Sequence, residues 1–300
     1  MIPLFDLHCD TLTALYEGKY SLLSSPLHIS LDKCKKFSPY TQIMAIWTNS
    51  SLSNQEGFQR YLSVIEYAKN QGAVFSTNFP RRKKATFFLA IEDLRIMEYD
   101  LSRIDLFYRN GVRFITPVWK NISQIGGAWN TCLGLSKLGK MAVSKMCDLG
   151  ITPDVSHSSV RGFYDILEIC KDKFCIPIAS HSCSYSVCKH KRNLTDEQFV
   201  NLVSVGACVG ISLAPEHLSS NKNASIKDIL LHIDHYLSLG GENSICLGCD
   251  FDGVSTLPIG ISSIFDLDKL YYEISKYYGE RLANKIFCHN FNDLLTKILR

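Results

Sequence analysis

Residues 3–11 read PLFDLHCDT, a short apolar run that ends in a histidine and an aspartate. In an extended strand, residues two apart point to the same face, so Asp6, His8 and Asp10 are predicted to form one polar row. A polar row beside apolar neighbours is either the solvent-facing edge of a strand or a functional site. This stretch alone leaves both interpretations open, and the rest of the chain has to decide between them.

Seven further apolar runs follow the first, separated by amphipathic stretches. Their near-continuous apolar character indicates strands that are buried on both faces, as in a parallel sheet. The eight predicted strands are PLFDLH (3–8), QIMAIW (42–47), TFFLAI (86–91), VRFITPV (112–118), ITPDVS (151–156), CIPIAS (175–180), CVGISL (208–213) and SICLGC (244–249). Several of the helical patterns between them end in Asn or Gly just before the next strand, where a helix is expected to stop.

Eight strands that alternate with helices predict an α/β fold, specifically a (β/α)8 TIM barrel in which residues 1–300 form a single domain. A doubly wound open sheet is the alternative, but no GxGxxG sequence follows a strand to support a nucleotide site. Residues 266–300 contain several helical turns, which are expected to pack as additional C-terminal helices around the barrel exterior. The RRKK run at 81–84 is predicted to be a solvated loop that leads into the third strand.

The composition excludes several classes of protein. Apolar residues make up 46% of the 300 residues and charged residues 20%, which is typical of a chain with a substantial core. The formal net charge of +3 is small for this length, so neither a nucleic-acid partner nor an anionic membrane surface is predicted. No apolar run reaches transmembrane length and no signal peptide precedes the first strand, so a cytoplasmic protein is expected.

Twelve cysteines are a large number for this length, but most lie within apolar strand or helix patterns, such as Cys208 in ACVGISL. This indicates buried free thiols in a reducing cytoplasm rather than a disulfide framework. Cys246 and Cys249 form one CxxC sequence. Because a second pair at zinc-finger spacing is missing, a structural zinc or a redox role is the less favoured interpretation.

Side chains of metal-ligand type fall at the ends of five predicted strands. They are His8 and Asp10 after the first strand, Glu92 after the third, His157 after the fifth, His181 after the sixth and Asp250 after the eighth. The C-terminal ends of barrel strands form the face on which active sites are built, so these side chains are predicted to converge at one mouth.

Histidine and carboxylate groups suit zinc or a similar divalent ion. One catalytic ion needs only three protein ligands, so the larger set fits two ions that share a bridging carboxylate. Each residue taken singly has an ordinary explanation: His181 is also compatible with a hydrogen-bonded core histidine, and Glu92 with a charge at a helix N-terminus. The set as a whole favours a metal centre.

The motifs around these residues resemble those of the renal (membrane) dipeptidase family of zinc metallopeptidases, in the amidohydrolase-like barrel group, and look most like its bacterial members. The matching segments run in the family's order and are DLHCDT, AIED, GLSKLGKMAVSKMCDLGITPDVSHSSV, PIASHSCSYSVCKHKRNLTDEQ and LGCDFDGV. The resemblance implies an enzyme with two Zn²⁺ or similar divalent ions that hydrolyses free dipeptides. Dipeptides with a C-terminal D-residue are among the candidate substrates, and the family suggests a homodimer.

The resemblance also assigns roles to individual residues. The positions that match the family's metal ligands are His8, Asp10, Glu92, His157 and His181. Glu92 matches the bridging carboxylate of the catalytic centre, Asp250 the catalytic aspartate beside the bridging water, and Arg192 the arginine that holds the substrate carboxylate. The chain departs from the mammalian members at PVWKNIS (117–123), where Trp119 falls at or near a substrate-contacting histidine. Trp119 and Asn121 are therefore expected to contact the substrate.

Two other functions use the same residues and stay open. One is a related amidohydrolase that acts on another small amide, a lactam or a modified peptide, and the other is a non-catalytic, metal-stabilised binding protein. Asp252 in DFDG is the rival of Asp250, which is favoured because it lies closer to the strand end. The histidines without a strand-end position are interpreted as surface or core residues and are His28, His190, His217, His232, His235 and His289.

Overall fold

The structure is a computed structural model that describes residues 1–78, 85–221 and 223–299, so the predicted RRKK loop at 81–84 lies outside the described residues. The described strands are β1 (Ile2–Cys9), β2 (Phe37–Trp47), β3 (Ala85–Glu92), β4 (Val112–Thr116), β5 (Thr152–Pro153), β6 (Val209–Ile211) and β7 (Ile245–Leu247). They form one parallel sheet in the order β5-β4-β3-β2-β1-β7-β6. The predicted α/β class and the parallel arrangement are confirmed.

The predicted strand at 175–180 differs from the others, because it contains only two isolated parallel bridges. Ile178 pairs with Asp154, directly after β5, and Ala179 pairs with Val209 of β6. The proline of this segment has no backbone N–H, which prevents a regular ladder there. The two bridges nevertheless connect the segment to both ends of the sheet order.

Eleven α-helices lie between and after the strands of the described residues, and several of them begin at a capping side chain. They are α1 (Thr11–Gly18), α2 (Asn54–Asn70), α3 (Ser102–Arg109), α4 (Lys137–Leu149), α5 (Val160–Asp172), α6 (Asp196–Ser204), α7 (Pro215–Leu218), α8 (Ile226–Ser238), α9 (Leu267–Tyr278), α10 (Glu280–Asn284) and α11 (Asn290–Ile298). Ser136 and Ser159 cap α4 and α5 by accepting backbone N–H groups, and Gly150 ends α4 in the left-handed conformation. No helix in 1–78, 85–221 or 223–299 is long and apolar enough to cross a membrane.

An irregularity in β1 changes the predicted polar row. The register of β1 against β2 shifts between Asp6 and Cys9, where β1 carries an extra residue. The carboxylate of Asp6 accepts a hydrogen bond from the backbone N–H of Cys249 at 2.8 Å. The side chains of His8 and Asp10, by contrast, lie 3.6 Å apart. The row predicted from simple alternation is therefore reduced to His8 and Asp10.

A small hydrophobic cluster shows that the sheet is curled. It contains Phe5, Phe88 and Phe114 from β1, β3 and β4, together with residues at β6 and β7, so strands from distant positions in the sheet order meet around it. The ring of Phe291 in α11 packs into this cluster, 4.6 Å from that of Phe5 and 6.1 Å from that of Phe114. The sequence predicts the last helices on the exterior, but α11 inserts its apolar face into this inner cluster.

The position of α11 leaves the opposite edge of the sheet open. The side chain of Asn290, its first residue, donates a hydrogen bond of 2.8 Å to the carbonyl of Ile245, the first residue of β7. The helix therefore covers the N-terminal edge of the strands. A second, larger cluster lies between the sheet and the surrounding helices. The C-terminal edge remains available for polar side chains.

Candidate active site

The five predicted metal ligands converge at the C-terminal edge of the sheet. Their ligand atoms form two groups, and within each group the atoms lie within 4.8 Å of one another. The first group is His8, Asp10 and Glu92, and the second is Glu92, His157 and His181. Residues from the ends of β1 and β3 and from the segments after β5 and after Ala179 thus contribute to one centre.

Glu92 lies between the two groups and directs one oxygen to each. Its Oε1 atom is 2.9 Å from Nε2 of His157 and 3.6 Å from Nε2 of His181. Its Oε2 atom is 3.7 Å from Nε2 of His8. Burial opposes the ionisation of Glu92, but the positive charge of the neighbouring His8 outweighs this effect and holds its pKa below its usual value. A buried carboxylate is therefore ionised between two sets of ligand atoms.

Hydrogen bonds at Nδ1 orient the two histidines of the second group. Nδ1 of His157 lies 3.0 Å from the carbonyl of Trp119, and Nδ1 of His181 lies 2.8 Å from the hydroxyl of Ser180. A carbonyl can only accept, so Nδ1 of His157 carries the proton and its Nε2 presents a lone pair. Burial lowers the pKa of His157 to about 4 and holds that of His181 well below the usual value. Both rings are neutral near pH 7.

The arrangement of the second group fits a cation. Nε2 of His157 lies 2.8 Å from Nε2 of His181 and 2.9 Å from Oε1 of Glu92. Neutral Nε2 atoms and a carboxylate oxygen are all electron-pair donors, so they repel one another unless a positive charge lies among them. Histidine nitrogen and carboxylate oxygen are the donors that zinc takes in proteins.

The first group also favours positive charge. Nε2 of His8 lies 3.6 Å from Asp10, 3.7 Å from Glu92 and 3.9 Å from Asp250. Burial lowers the pKa of His8, but Glu92 and Asp10 raise it well above its ordinary value. Burial and then Glu92 raise the pKa of Asp10 to about 6. Within the described residues, Nε2 of His8 and Oδ1 of Asp10 are buried without a hydrogen-bond partner, as expected of ligand atoms.

A buried carboxylate outside the predicted set positions His181. Asp154 accepts hydrogen bonds from the hydroxyl and the backbone N–H of Ser180, and from the hydroxyl of Thr116 at 2.8 Å. Since the hydroxyl proton of Ser180 goes to Asp154, its oxygen is left to accept from Nδ1 of His181. The chain Asp154–Ser180–His181 therefore fixes both the ring orientation and the tautomer of a candidate ligand. Asp154 also belongs to a third ligand-type group, with His8 and His181.

A cavity of about 560 Å³ opens onto this centre. Among the predicted residues, Asp10, Glu92, His157, Asp250, Arg192 and Trp119 line it. The guanidinium of Arg192 is buried, and it makes one hydrogen bond of 3.5 Å to the carbonyl of His181. Among the described residues no carboxylate forms an ion pair with it. The cavity therefore contains a buried cationic group that no carboxylate of the described residues contacts directly, although Glu92 and Asp250 stabilise its charge from a greater distance.

Two residues of the site hold a strained backbone conformation. The φ angle of His157 is +67° and that of Asp250 is +59°, both in the left-handed region that costs energy for residues other than glycine. The backbone N–H of Asp250 donates to the carbonyl of His8 at 3.1 Å, and that of Trp129 donates to the carbonyl of His157 at 2.8 Å. These bonds hold the two side chains toward the cavity.

The carboxylates of Asp250 and Asp252 have different surroundings. Asp252 accepts hydrogen bonds of 2.6 Å from the hydroxyl of Thr11 and 2.6 Å from the backbone N–H of His28. Oδ1 of Asp250 lies 3.9 Å from Nε2 of His8 instead. Asp252 is thus engaged in holding loops together, whereas Asp250 faces the ligand groups.

Asn121 is placed differently from the sequence expectation, because it does not line the cavity that Trp119 lines. Its φ angle is +61°, a conformation that Asn tolerates better than most residues. Its backbone N–H donates to Asn130 at 2.8 Å, and its side-chain oxygen accepts from the amide of Asn130 at 2.7 Å. These contacts give Asn121 a role in the loop, and its contact with the substrate stays a prediction.

Four aromatic residues that line the cavity are absent from the predicted site. They are Trp47, Trp129, His190 and His217. The ring of His190 lies 5.8 Å from that of Trp129 and 4.8 Å from that of His217. The sequence analysis assigns the two histidines to the surface or the core, since neither directly follows a strand. Trp47 is the last residue of β2, and active-site side chains lie at the C-terminal ends of barrel strands. The sequence could therefore have predicted Trp47 as a residue of the site.

A curled parallel sheet with histidine and carboxylate groups at its C-terminal edge is typical of metal-dependent hydrolases. The sequence model of the membrane dipeptidase family, peptidase family M19, matches residues 1–298. The chain therefore belongs to the membrane dipeptidase family. Enzymes of this family are metallo-dipeptidases, and the chain is a hydrolase of this kind.

Curated relatives cover part of the chain. An uncharacterized dipeptidase of Schizosaccharomyces pombe is 29% identical over 212 residues, which are 68% of this chain and 49% of that protein. An uncharacterized protein from the pqqA 5' region of Klebsiella pneumoniae is 27% identical over 208 residues, 65% of this chain and 75% of that protein. This chain thus spans about half the length of the yeast relative.

Two solved structures are similar to the chain over 99% of both lengths with a TM-score of 0.90. One is the metallo-peptidase described as dipeptidase AC, at 23% identity. The other, at 22% identity, is a metallo-peptidase from Rhodobacter sphaeroides with a bound phosphinate mimic of the dipeptide L-Ala-D-Ala. At these identities the similarity shows a shared fold.

Proposed function

We propose that the chain hydrolyses the peptide bond of free dipeptides at a centre of two divalent metal ions, zinc or a similar metal. The observation that carries the proposal is the position of Glu92, with one carboxylate oxygen toward His8 and the other toward His157 and His181. His8, Asp10 and Glu92 would hold one ion, and Glu92, His157 and His181 the other. When bound, such ions polarise the scissile carbonyl and make water a stronger nucleophile at neutral pH.

Asp250 is the proposed general base and acid. It lines the cavity and faces the ligand groups, and burial raises its pKa well above the ordinary value, as suits a carboxylate that exchanges protons near neutral pH. The carboxylate accepts a proton from the attacking water and passes it to the leaving amine. Asp252 is unsuited to this role because Thr11 and His28 already occupy its oxygens.

Arg192 is the proposed binding group for the C-terminal carboxylate of the substrate. Its buried guanidinium lines the cavity, and the planar fork of this group matches a carboxylate with two parallel hydrogen bonds. A free carboxylate held at this point fixes the scissile bond one residue from the C-terminus. Trp119 and the other aromatic residues of the cavity wall would contact the side chains of the dipeptide.

The proposal also covers closure of the barrel, the oligomeric state and the location of the protein. We infer that the segment at 178–179 serves as an eighth strand, and its bridges to Asp154 and Val209 support closure into a (β/α)8 barrel within a single domain, residues 1–300. A homodimer is proposed on the family resemblance, and a cytoplasmic location on the free cysteines. Cleavage of dipeptides with a C-terminal D-residue is supported by the L-Ala-D-Ala mimic bound to the Rhodobacter sphaeroides protein.

The test combines metal analysis with turnover. Protein that has been stripped of metal and reloaded with Zn²⁺ is expected to retain two ions per chain at this centre, beyond any ion that cysteine thiols bind, and to cleave members of a panel of L,L-, L,D- and D,D-dipeptides. Turnover of β-lactams or other small amides, without cleavage of any dipeptide, would favour the related amidohydrolase. Two bound ions without turnover of any of these compounds would favour the binding protein.

The variant Asp250→Asn separates chemistry from metal binding. It is expected to keep both ions and to lose about 10²–10⁴-fold in kcat, because an amide cannot accept the proton. Asp293→Asn makes the same chemical change at an exposed position of α11 and is expected to leave kcat unchanged. A metal-replete Asp250→Asn enzyme with near-normal kcat would rule out the assignment.

A further inference from the structure

Three cysteine thiols converge far from the candidate active site. The sulfur atoms of Cys147, Cys170 and Cys175 all lie within 4.8 Å of one another. Cys147 lies in the last turn of α4 and Cys170 in the last turn of α5, and these two helices pack together. The backbone N–H of Cys175 donates to the carbonyl of Cys170 at 2.8 Å, which turns the chain back toward the end of α5.

The topology separates this cluster from the catalytic groups. In a βαβ unit the helix runs antiparallel to its strands, so the C-terminal ends of α4 and α5 lie near the N-terminal edge of the sheet. The catalytic groups lie at the C-terminal edge, and none of the three cysteines lines their cavity. The cluster therefore belongs to a different part of the molecule.

The spacing of the sulfur atoms suits one thiophilic metal ion. A Zn–S bond is about 2.3 Å, so two sulfurs on one ion lie at most about 4.6 Å apart. The three sulfurs, which lie within 4.8 Å of one another, are close to this limit or inside it. Cys170 is buried while Cys147 and Cys175 are partly exposed, which leaves a path for an ion and an open coordination position toward solvent.

The environment of Cys175 also suits a ligand. Hydrogen bonds from the thiols of Cys147 and Cys170 lower the pKa of the Cys175 thiol to about 4, while hydrogen bonds with Cys147 and Cys175 raise the pKa of the Cys170 thiol. Cys175 is therefore the first thiolate of the cluster, and a bound ion displaces the protons of the other two sulfurs. The thiolate is the form of cysteine that binds metals. A disulfide would use only two of the three sulfurs, whereas a metal ion uses the whole cluster.

We propose that Cys147, Cys170 and Cys175 form a second metal site, which binds a thiophilic divalent ion such as Zn²⁺ or Cd²⁺ through three thiolate sulfurs. The ion would tie the ends of α4 and α5 to the segment that leads into Ile178 and Ala179. This site is independent of the proposed dipeptidase function, so either proposal can fail without the other.

Titration of the reduced, metal-free full chain with Cd²⁺ tests the proposal. Thiolate ligands give a sulfur-to-cadmium charge-transfer absorption in the ultraviolet, and the His, Asp and Glu groups of the catalytic centre contain no sulfur. We expect the band to saturate at one equivalent of thiolate-bound ion. Cys147→Ser, Cys170→Ser and Cys175→Ser should each remove most of it. Cys132→Ser, at an exposed cysteine outside the cluster, should leave it unchanged.

A second measurement on the unaltered protein covers the case in which a serine variant fails to fold. Bound Cd²⁺ is expected to slow alkylation of Cys147 and Cys175 by iodoacetamide at least tenfold, but not alkylation of Cys132, as read by peptide mass mapping. If Cd²⁺ left the alkylation rate of Cys147 and Cys175 as unchanged as that of Cys132, the proposal would be overturned. A charge-transfer band that survives all three substitutions, or a disulfide between two of these cysteines in protein prepared without oxygen, would overturn it as well.

Discussion

A methyl group added at Gly248 is expected to disturb the catalytic centre without touching any ligand. The Cβ atom of an alanine there would lie 1.7 Å from the carbonyl oxygen of Ser180. Real Cβ contacts essentially never fall below 3.0 Å, so the two groups must separate by at least 3.0 − 1.7 = 1.3 Å. The obstacle is backbone, which cannot rotate away as the end of a flexible side chain can.

The displaced residue is the one that orients His181. Ser180 precedes His181 in the chain, and its hydroxyl binds Nδ1 of that ring at 2.8 Å. A misplacement of about 1 Å at a reacting site costs about 10²-fold in rate. We therefore expect Gly248→Ala to lose about 10²-fold in kcat/KM and to retain less metal. Overpacking of about 1–3 kcal/mol should also lower its Tm.

The assay compares three glycine substitutions in metal content, kcat/KM and Tm. Gly210→Ala should resemble Gly248→Ala, because its Cβ would lie 2.1 Å from the same Ser180 oxygen. Gly162→Ala in α5 is the control, since its nearest neighbour is a side-chain atom at 3.2 Å and alanine favours a helix. Wild-type metal content and kcat/KM in a folded Gly248→Ala protein would refute the reasoning.

Four further substitutions test the roles of individual side chains. Arg192→Ala is expected to lower kcat/KM for a free dipeptide by about 10- to 10²-fold, the worth of a charged hydrogen bond, and to leave the C-terminal amide of that dipeptide unaffected; equal losses on both would mean that Arg192 only supports its loop. Glu92→Gln should reduce the occupancy of both ions, whereas Asp10→Asn should reduce the occupancy of only one, as measured by metal analysis. If each variant lost only one ion, Glu92 would not be a carboxylate shared by both ions. Asp154→Asn is expected to weaken metal affinity by about 10- to 100-fold in competition with a chelator, and unchanged affinity would show that the bond to Ser180 does not position His181.

Seven of the eight predicted strands occur in the described residues, because burial on both faces leaves long apolar runs. β1, β3 and β4 lie within one or two residues of their predicted bounds. β2 begins at Phe37, five residues before its predicted start, because a stretch with Ser38 and Pro39 interrupts the apolar pattern although it still pairs with β1. Such boundaries depend on pairing between strands that are far apart in the sequence, and the apolar pattern of one segment cannot predict that pairing.

Part of the candidate site could be placed from the sequence for an equally local reason. The candidate ligands lie at or within a few residues of the end of a strand or of the bridged segment at 178–179, so position along the chain fixes position in space. Residues presented by longer loops could not be placed in this way: His190 and His217 reach the cavity through the turns after Ala179 and β6. Asp154 was present in a quoted motif, but its bonds to Ser180 and Thr116 depend on strand neighbours. The shift at Asp6 depends on the pairing of β1 with β2 and was equally hidden.

The insertion of α11 into the inner cluster has a consequence for synthesis on the ribosome. Phe88 and Phe291 are separated by about two hundred residues, which take roughly 10–40 s to add at about 5–20 residues per second. During that interval the phenylalanines on the inner face of β1, β3 and β4 have left the ribosome while the helix that covers them does not yet exist. Until α11 is synthesised, these phenylalanines form an apolar surface that is prone to aggregation. The nascent chain can complete its native packing only after nearly all of its sequence has emerged.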